Sequence, residues 1–322
     1  MEDGKVLITG AGGFLGSLLA THLAAQHRPE KLILLDHLSP PANPVPGARY
    51  VTGDIGDAKF LESVITEDVH SIYHLAALVS SGAEANYELG LRANIDGTRA
   101  IIQRCKDVGH CPRLVFTSSV AVYGPLPASV AGEDGGKHLT DSTTPYPQSS
   151  YGTQKLICEL LISDATRKGF VDGRSLRLPT IVVRPGRPNT AASSFCSSII
   201  REPLKGEAAV CPVDPNYPLF VQSPKTVVRN LMHAMSIKSL KESGRAITLP
   251  GLTTNAKEMV EALGAAGGDT KLVKWERDPT IEKIVYSWPG FVDTPFAKSL
   301  GFHIDRSIQD IVAAYIENNK SK

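Results

Sequence analysis

Six short runs rich in Val, Ile and Leu punctuate the first 185 residues: Lys5–Thr9, Lys31–Asp36, Arg49–Thr52, Ser71–Ala76, Arg113–Ser118 and Ser175–Arg184. They are nearly continuous rather than alternating in polarity, which is the pattern of strands buried on both faces of a parallel sheet. Amphipathic stretches separate them, at Phe14–Gln26, Lys59–Thr66, Ala85–Val108 and Ser150–Lys168. Strand following helix following strand predicts a doubly wound α/β fold. After residue 186 prolines recur, and helical patterns return at Thr226–Lys238, Ala256–Leu263 and Ser307–Asn318, with short strand-like runs at Ala246–Leu249 and Lys271–Trp275. The expectation is a parallel-sheet domain over 1–185 and a smaller mixed α/β C-terminal cap over 186–322, allowing for segments that return to the core. Two long irregular segments, Ser39–Gly47 and Gly124–Ser149, are long enough to expect a role at a cleft.

The first strand runs into Thr9-Gly10-Ala11-Gly12-Gly13-Phe14-Leu15-Gly16. Gly10 permits the tight turn, Gly13 lets backbone approach a pyrophosphate, and Gly16 lets the helix pack close to the sheet. The helix N-terminus that follows presents free N–H groups to phosphates. A glycine triplet alone is weak, but here it follows a strand and opens a helix, the context a Rossmann dinucleotide site requires. Asp36 ends the second strand, twenty residues after Gly16. Its carboxylate suits ribose hydroxyls and repels a 2′-phosphate, favouring NAD over NADP; the competing role is a turn or helix cap. In Gly53-Asp54-Ile55, Asp54 is a candidate for the adenine amine, and Phe14, Leu15, Ile55 and Leu178 join the cofactor-contact candidates.

Tyr151-Gly-Thr-Gln-Lys155 sets a phenol and an amine four residues apart, on one face of a helix. A free tyrosine titrates near about 10. A neighbouring ammonium and a positive nicotinamide ring favour its phenolate, which then takes a proton from a substrate hydroxyl as hydride leaves the carbon. Lys155 also has reach for the nicotinamide ribose. Ser119, in Thr117-Ser118-Ser119 at a strand end, orients the reacting oxygen. Tyr151 and Lys155 by themselves would read as ordinary helix-surface residues; the glycine loop and the serine give the pair its meaning.

The bulk properties narrow the function classes. Lys plus Arg number 34 against 33 Asp plus Glu, so the chain lacks the positive excess that drives nucleic-acid binding, and no basic block suggests a membrane surface. Apolar content of 42% argues for a packed globular chain. Cys105, Cys111, Cys158, Cys196 and Cys211 form no CxxC pair and have no histidine at metal-ligand spacing, so they read as reduced, mostly buried residues and no metal site is expected. A strand pattern begins at Lys5, leaving no room for a signal peptide, and no apolar run reaches the roughly 18 residues of a membrane helix. A cytoplasmic location is the expectation.

Taken together, TGAGGFLG, HLAA at His74–Ala77, Asn94 in NIDGT, TSSVAVYG at Thr117–Gly124 and YGTQK resemble the extended short-chain dehydrogenase/reductase family in order and over essentially the whole chain. The resemblance implies that Leu75, Ala76 and Ala77 line the cofactor groove and that Asn94 supports the helix or a water network behind the lysine. His74 looks catalytic in identity but more often packs structurally in this motif. Arg177-Leu-Pro-Thr-Ile-Val-Val-Arg-Pro-Gly-Arg-Pro-Asn189, followed by Ala191–Phe195 and Ile200–Pro203, looks like the D-erythronate dehydrogenase branch, which implies NAD-dependent oxidation of the C2 hydroxyl of a four-carbon sugar acid. The resemblance also implies a homodimer through the two long helices.

A nucleotide-sugar epimerase or dehydratase of the same fold is the main alternative. A dehydratase wants an acidic pair just after Thr117, where Ser118 and Ser119 stand. The Asn-Val-Tyr-Gly-Pro-like run of many nucleotide-sugar enzymes reads Thr180-Ile-Val-Val-Arg-Pro-Gly here, and Ser223-Pro224 replaces an aspartate before the late helix. A free sugar acid needs a cationic anchor for its carboxylate instead. Arg184 and Arg187 are the candidates, with Ser80, Ser81, Thr180 and Asn189 for hydroxyls; Arg177 and Arg201 are equally readable as ion-pair residues. A non-catalytic NAD sensor would be expected to lose Tyr151 or Lys155, and both are present.

Overall fold

The computed structural model describes residues 4–26, 28–41, 43–125, 139–186, 191–238, 240 and 246–319. The chain divides into two compact units, each built from three separate segments of sequence. The first comprises Met1–Ser118, Thr153–Arg177 and Val228–Ile247; the second comprises Ser119–Gly152, Leu178–Val227 and Thr248–Lys322.

The first unit is built on a seven-stranded sheet of β1 (Lys5–Thr9), β2 (Leu32–Asp36), β3 (Arg49–Thr52), β4 (Val69–His74), β5 (Arg113–Ser119), β6 (Asp172–Leu178) and β7 (Ile247–Thr248), in the order β7-β6-β5-β4-β1-β2-β3. From β1 the chain steps outward to β2 and β3, then returns to the other side of β1 for β4. All of these pairings are parallel, with Thr9 opposite both Leu35 and His74. The order therefore reverses between β1 and β4, and the crevice at their carboxyl ends is where such sheets bind ligands. Helices α1 (Phe14–Gln26), α2 (Ala58–Val64), α3 (Gly97–Val108) and α4 (Ser150–Arg167) alternate with the strands. Leu7, Ile33, Ile72, Leu114 and Phe116 from the sheet pack with Leu61, Ile101 and Ile162 from the helices in one core cluster. Each such side chain contributes about 1.5–3 kcal/mol on burial. The expected α/β parallel architecture is the observed one.

Three expectations need correction. The helix read over Ala85–Val108 is broken: Asn86 leaves helical geometry and its side chain accepts from the Leu89 N–H at 3.0 Å, ending one short helix and starting the next. A wide π-turn over Leu91–Asp96 then leads into α3. The strand read over Ser175–Arg184 splits at Pro179, which has no N–H for a ladder, and Thr180–Ile181 instead pairs with Val221 and Gln222 in a separate sheet. The Ala246–Leu249 run, assigned to the cap, supplies β7 at the edge of the main sheet; an apolar run of this length carries no signal for which sheet it joins.

The second unit is mixed. Leu219–Gln222 lies between an antiparallel partner, Leu252–Thr254, and the parallel Thr180–Ile181. Two further two-stranded sheets pair Val273–Trp275 with Ala209–Cys211 and Val292–Asp293 with Leu139–Thr140. Val182, Phe195, Ile199, Val221, Met259 and Val312 belong to its core cluster. The helix Pro224–Ser236 starts at Ser223, whose hydroxyl accepts from the Thr226 N–H. Asp305 reinforces that start, accepting from the Ser223 N–H at 2.7 Å and from the Ser223 and Thr226 hydroxyls at 2.6 Å.

Among the described residues no helix is long and apolar enough to cross a membrane, and no group of three or more His, Cys, Asp or Glu side chains is placed to hold a metal ion. Cys105, Cys158, Cys196 and Cys211 are buried free thiols, and Cys111 is an exposed one.

Candidate functional site

In the first unit the carboxyl ends of β1 and β4 carry the glycine loop and the segment from Leu75. Gly10 has φ +70°, a left-handed turn that glycine adopts without a steric penalty. A β-carbon at Gly10 would stand 2.7 Å from the Ala76 amide nitrogen, and one at Gly16 only 2.1 Å from the Gly10 carbonyl. The loop, α1 and the Leu75–Ala77 segment are thus packed backbone to backbone. At Gly13 an added β-carbon would meet only the Gly10 carbonyl, at 3.2 Å, so space lies open above it. The Leu75 N–H donates to the Thr9 carbonyl and the Ala76 N–H to the Thr9 hydroxyl. Phe14 and Leu15 begin α1.

Asp36, at the end of β2, accepts from the Gly12 N–H at 2.9 Å and from the Leu38 N–H at 3.1 Å, one on each oxygen, with the His37 ring nitrogen 3.1 Å away. A carboxylate has about four lone-pair positions, so capacity remains for two ribose hydroxyls. Ala11, Gly12, Asp36, Leu38, Pro41 and Tyr50 line a crevice beside it. Asp54 accepts from the Gly56 N–H at 2.8 Å in a local turn, while the Ile55 side chain belongs to the core. The donor set therefore fits a dinucleotide: an open backbone cradle at a helix start, and a carboxylate with spare lone pairs one strand away.

Behind the loop lies a buried polar network. His74 Nδ1 is 2.7 Å from the Thr9 hydroxyl and Nε2 is 3.0 Å from the Thr98 hydroxyl. Burial lowers its pKa to about 3, which leaves the ring neutral between the two threonine hydroxyls. Asn94 accepts from the Leu78 N–H at 2.7 Å, donates back to the Leu78 carbonyl at 3.1 Å and donates to Gln154 at 2.6 Å. It thereby ties the segment after β4 to the residue beside Lys155. Gly90 permits this approach, since a β-carbon there would lie 2.5 Å from the Gln154 amide. Lys155 is buried, donates to the Thr117 carbonyl at 2.7 Å and lies 4.5 Å from the centre of the Phe116 ring. Burial pulls its ammonium down to about 8, against upward pulls from Cys158 and Glu159.

The second unit holds Ser119, Tyr151, Thr180 and Arg184. Ser119 is extended, and its hydroxyl accepts from the Ala121 N–H at 3.1 Å. Helix α4 begins beside Ser149, whose hydroxyl accepts from the Gly152 N–H at 3.1 Å. Gly152 lets the helix start close on the Val120–Val122 turn, because a β-carbon would come within 2.4 Å of the Ala121 carbonyl. Burial pushes the Tyr151 phenol up to about 12. Desolvation of the phenolate outweighs the charge effect, and the opposing charge is Arg184. The Arg184 backbone N–H donates to Ser197, and its guanidinium donates to the Ile181 carbonyl at 3.2 Å and the Ser193 hydroxyl at 3.5 Å. Among the described residues it is met by carbonyl and hydroxyl oxygens rather than a carboxylate.

The other arginines are engaged elsewhere. Arg177 forms a buried pair with Glu159 in the first unit. In the second unit Arg201 pairs with Glu202 and donates to the Arg184 carbonyl at 2.7 Å. Ser80 and Ser81 open the short helix Ser80–Ala85. Leu178 is buried at the end of β6. Arg187 and Asn189 lie outside the described residues. Sequence reasoning missed Gln154, Glu159 and Ser118; their only signal was adjacency to Lys155 and Ser119 and the helical spacing from Lys155 to Glu159.

Residues 6–236 match the family described as the NAD dependent epimerase/dehydratase family. The chain is 46% identical to a D-erythronate dehydrogenase of Cupriavidus necator, covering 98% of each protein. It is 45% identical to a D-erythronate dehydrogenase of Haemophilus influenzae over 97% of this chain and 99% of that one. Among solved structures, a nucleoside-diphosphate-sugar epimerase from Agrobacterium tumefaciens superposes with a TM-score of 0.87 at 35% identity, covering 99% of this chain and 95% of that one. With the parallel sheet, the glycine loop at its reversal point and this match over most of its length, the chain belongs to the NAD-dependent epimerase/dehydratase family of extended short-chain dehydrogenases.

Proposed function

We propose that the protein is an NAD-dependent dehydrogenase that oxidises the C2 hydroxyl of a four-carbon sugar acid, D-erythronate or a close analogue, to the 2-keto acid. The observation that carries this reading is the Arg184 guanidinium, in the same unit as Tyr151, donating to the Ile181 carbonyl and the Ser193 hydroxyl and to no carboxylate among the described residues. A 2-hydroxy acid bears its carboxylate on the carbon next to the reacting C–OH. A base for that hydroxyl and a cation for that carboxylate must therefore be neighbours. Arg184, free of a carboxylate partner among the described residues, meets that need. The names of the two bacterial relatives at 45% and 46% identity support the same chemistry.

In this reading Gly10, Gly13 and Gly16 shape the backbone cradle for the pyrophosphate, and Asp36 accepts from the adenosine ribose. Asp54 and the Leu75–Ala77 segment border the groove, Asn94 holds Lys155 in place through Gln154, and Lys155 donates to the second ribose. Bound NAD+ supplies the acceptor for the hydride leaving C2. Arg184 fixes the substrate carboxylate, Ser119 holds the C2 oxygen by a hydrogen bond, and the Tyr151 phenolate takes the hydroxyl proton. Ser80, Ser81 and Thr180, with Arg187 and Asn189, are the candidates for the remaining hydroxyls. A homodimer through α3 and α4 belongs to the same proposal, and Ile157 and Leu160 stand exposed on α4.

The test is release of free NADH on mixing the protein with NAD+ and D-erythronate, with the neutral four-carbon polyol as control. Turnover of the acid alone is the expected result. Turnover of nucleotide sugars with NAD retained on the protein would replace this reading with an epimerase. For the cofactor, Asp36→Ala removes an acceptor of two loop N–H bonds as well as the ribose partner. The expected result is a rise in the Kd for NAD+ of at least about tenfold, since a lost charged hydrogen bond is worth about 1.5–3 kcal/mol. The preference over NADP+ should shrink with it; an unaltered NAD+/NADP+ ratio in fluorescence titrations would argue against the ribose role.

A further inference from the structure

In the first unit, one helical turn beyond Lys155, the carboxylate of Glu159 sits in a closed cluster. The Ser118 hydroxyl donates to its Oε1 at 2.5 Å. Arg177 Nε donates to Oε1 at 3.0 Å and Nη2 to Oε2 at 2.7 Å. All three side chains are buried, at 2%, 4% and 7% exposure for Ser118, Glu159 and Arg177. A buried ion pair is weak evidence for stability, because desolvation offsets most of its attraction. Its placement points to another use. Ser118 lies between Thr117, whose carbonyl receives the Lys155 ammonium, and Ser119. Glu159 thus grips β5 at the residue that separates two groups of the proposed reaction, and Arg177 braces it from β6.

We propose that Glu159 is a positioning residue: through Ser118 and Arg177 it fixes the end of β5, and with it the Thr117 carbonyl that receives the Lys155 ammonium, against α4. The inference rests on the reading of Lys155 given above. Three features of the surroundings bear on it. Burial draws the lysine toward its neutral form, while the face of the Phe116 ring and the Thr117 carbonyl on β5 favour the ammonium. Other titratable groups coupled to Lys155 include His74 on β4, between two threonines, and Cys158 on α4, a buried thiol that donates to the Asn94 carbonyl. Neither supplies a formal negative charge near neutrality. Glu159 supplies a carboxylate, paired with Arg177, that favours the Lys155 ammonium.

The sign follows. Removing the charge of Glu159 while Arg177 stays makes proton loss from Lys155 easier, so the ammonium disappears at lower pH. In Glu159→Gln the alkaline limb of kcat/KM for D-erythronate oxidation is expected to move down by about half a unit to one unit, the lower part of the range for a nearby charge. The 15N resonance of Lys155 Nζ in the free protein should titrate earlier by the same shift. Because an unpaired buried guanidinium destabilises the fold, Glu159→Gln/Arg177→Gln is measured alongside. It should shift the limb in the same direction by less, since both charges leave together. Lys155→Met is the control for the underlying reading. If it abolishes turnover while the alkaline limb and the Nζ titration stay in place in both Glu159 variants, Glu159 is merely structural and the proposal is overturned. Wild-type turnover in Lys155→Met would instead overturn the assignment of Lys155, and this inference with it.

Discussion

Tyr151→Phe is expected to lower kcat for D-erythronate oxidation by about 10²–10⁴-fold, the usual worth of a positioned general base. The change deletes one oxygen and keeps the ring, so the helix start built on Ser149 and Gly152 is undisturbed. Binding of NAD+ should therefore change by less than about threefold, under 1 kcal/mol. Steady-state NADH formation and fluorescence titration of the cofactor measure the two quantities. A loss below tenfold would remove Tyr151 from the proton-transfer step. The pH dependence carries a further signature. Burial holds the Tyr151 phenol up to about 12 and the Lys155 ammonium down to about 8 in the free protein. The phenolate fraction grows with pH, while the lysine charge is lost as pH passes through the value of Lys155. Oxidation should then rise from acid pH and flatten or turn over above neutrality. In Tyr151→Phe the rising limb should vanish from the residual rate.

Gly16→Ala is the second large effect. The new β-carbon would lie 2.1 Å from the Gly10 carbonyl oxygen and 2.8 Å from the Ala11 α-carbon, both backbone atoms that cannot rotate aside. Helix α1 has to move off the loop. Overpacking of this kind costs about 1–3 kcal/mol, and at roughly 2–4 °C per kcal/mol the melting temperature should fall by about 2–12 °C. The loop N–H groups move with the helix, so the Kd for NAD+ should rise by more than about tenfold, beyond 1.4 kcal/mol. Gly13→Ala separates the two consequences. There the added carbon meets only the Gly10 carbonyl at 3.2 Å and otherwise fills the open cradle. Its melt should stay close to wild type while cofactor affinity drops. Wild-type affinity for NAD+ in both variants would show that no phosphate approaches this backbone.

Where the fold follows from short-range pattern, the chain is readable without coordinates. Lys5–Thr9, Arg49–Thr52 and Phe14–Gln26 have the same limits in the sequence pattern and in the structure, because turn glycines and continuous apolar runs mark them locally. The glycine loop, Asp36 and the Tyr151/Lys155 pair are legible for the same reason: each role depends on spacing within a strand, a turn or one helix. Reading failed where a local rule was broken by a single residue. Pro179 ends a strand inside an apolar run, and Asn86 interrupts a helical one.

What tertiary structure alone decided are the partnerships between residues far apart in the chain. The serine before the late helix is capped by Asp305, 82 positions away, where the sequence showed only a missing aspartate. Asn94 reaches Gln154 over 60 positions, and Glu159 meets Ser118 over 41 and Arg177 over 18. The same packing sorted the arginines, committing Arg177 and Arg201 to buried pairs and leaving Arg184 without one among the described residues. Burial likewise set the proton affinities, raising Tyr151 and lowering Lys155, since the cost of removing a charge from water is a property of the folded surroundings and not of the residue. The sequence by itself determined the parallel sheet, the loop at its reversal and the residue types available for chemistry. Which of those groups are charged, paired or left for a substrate depended on what the fold brought beside them.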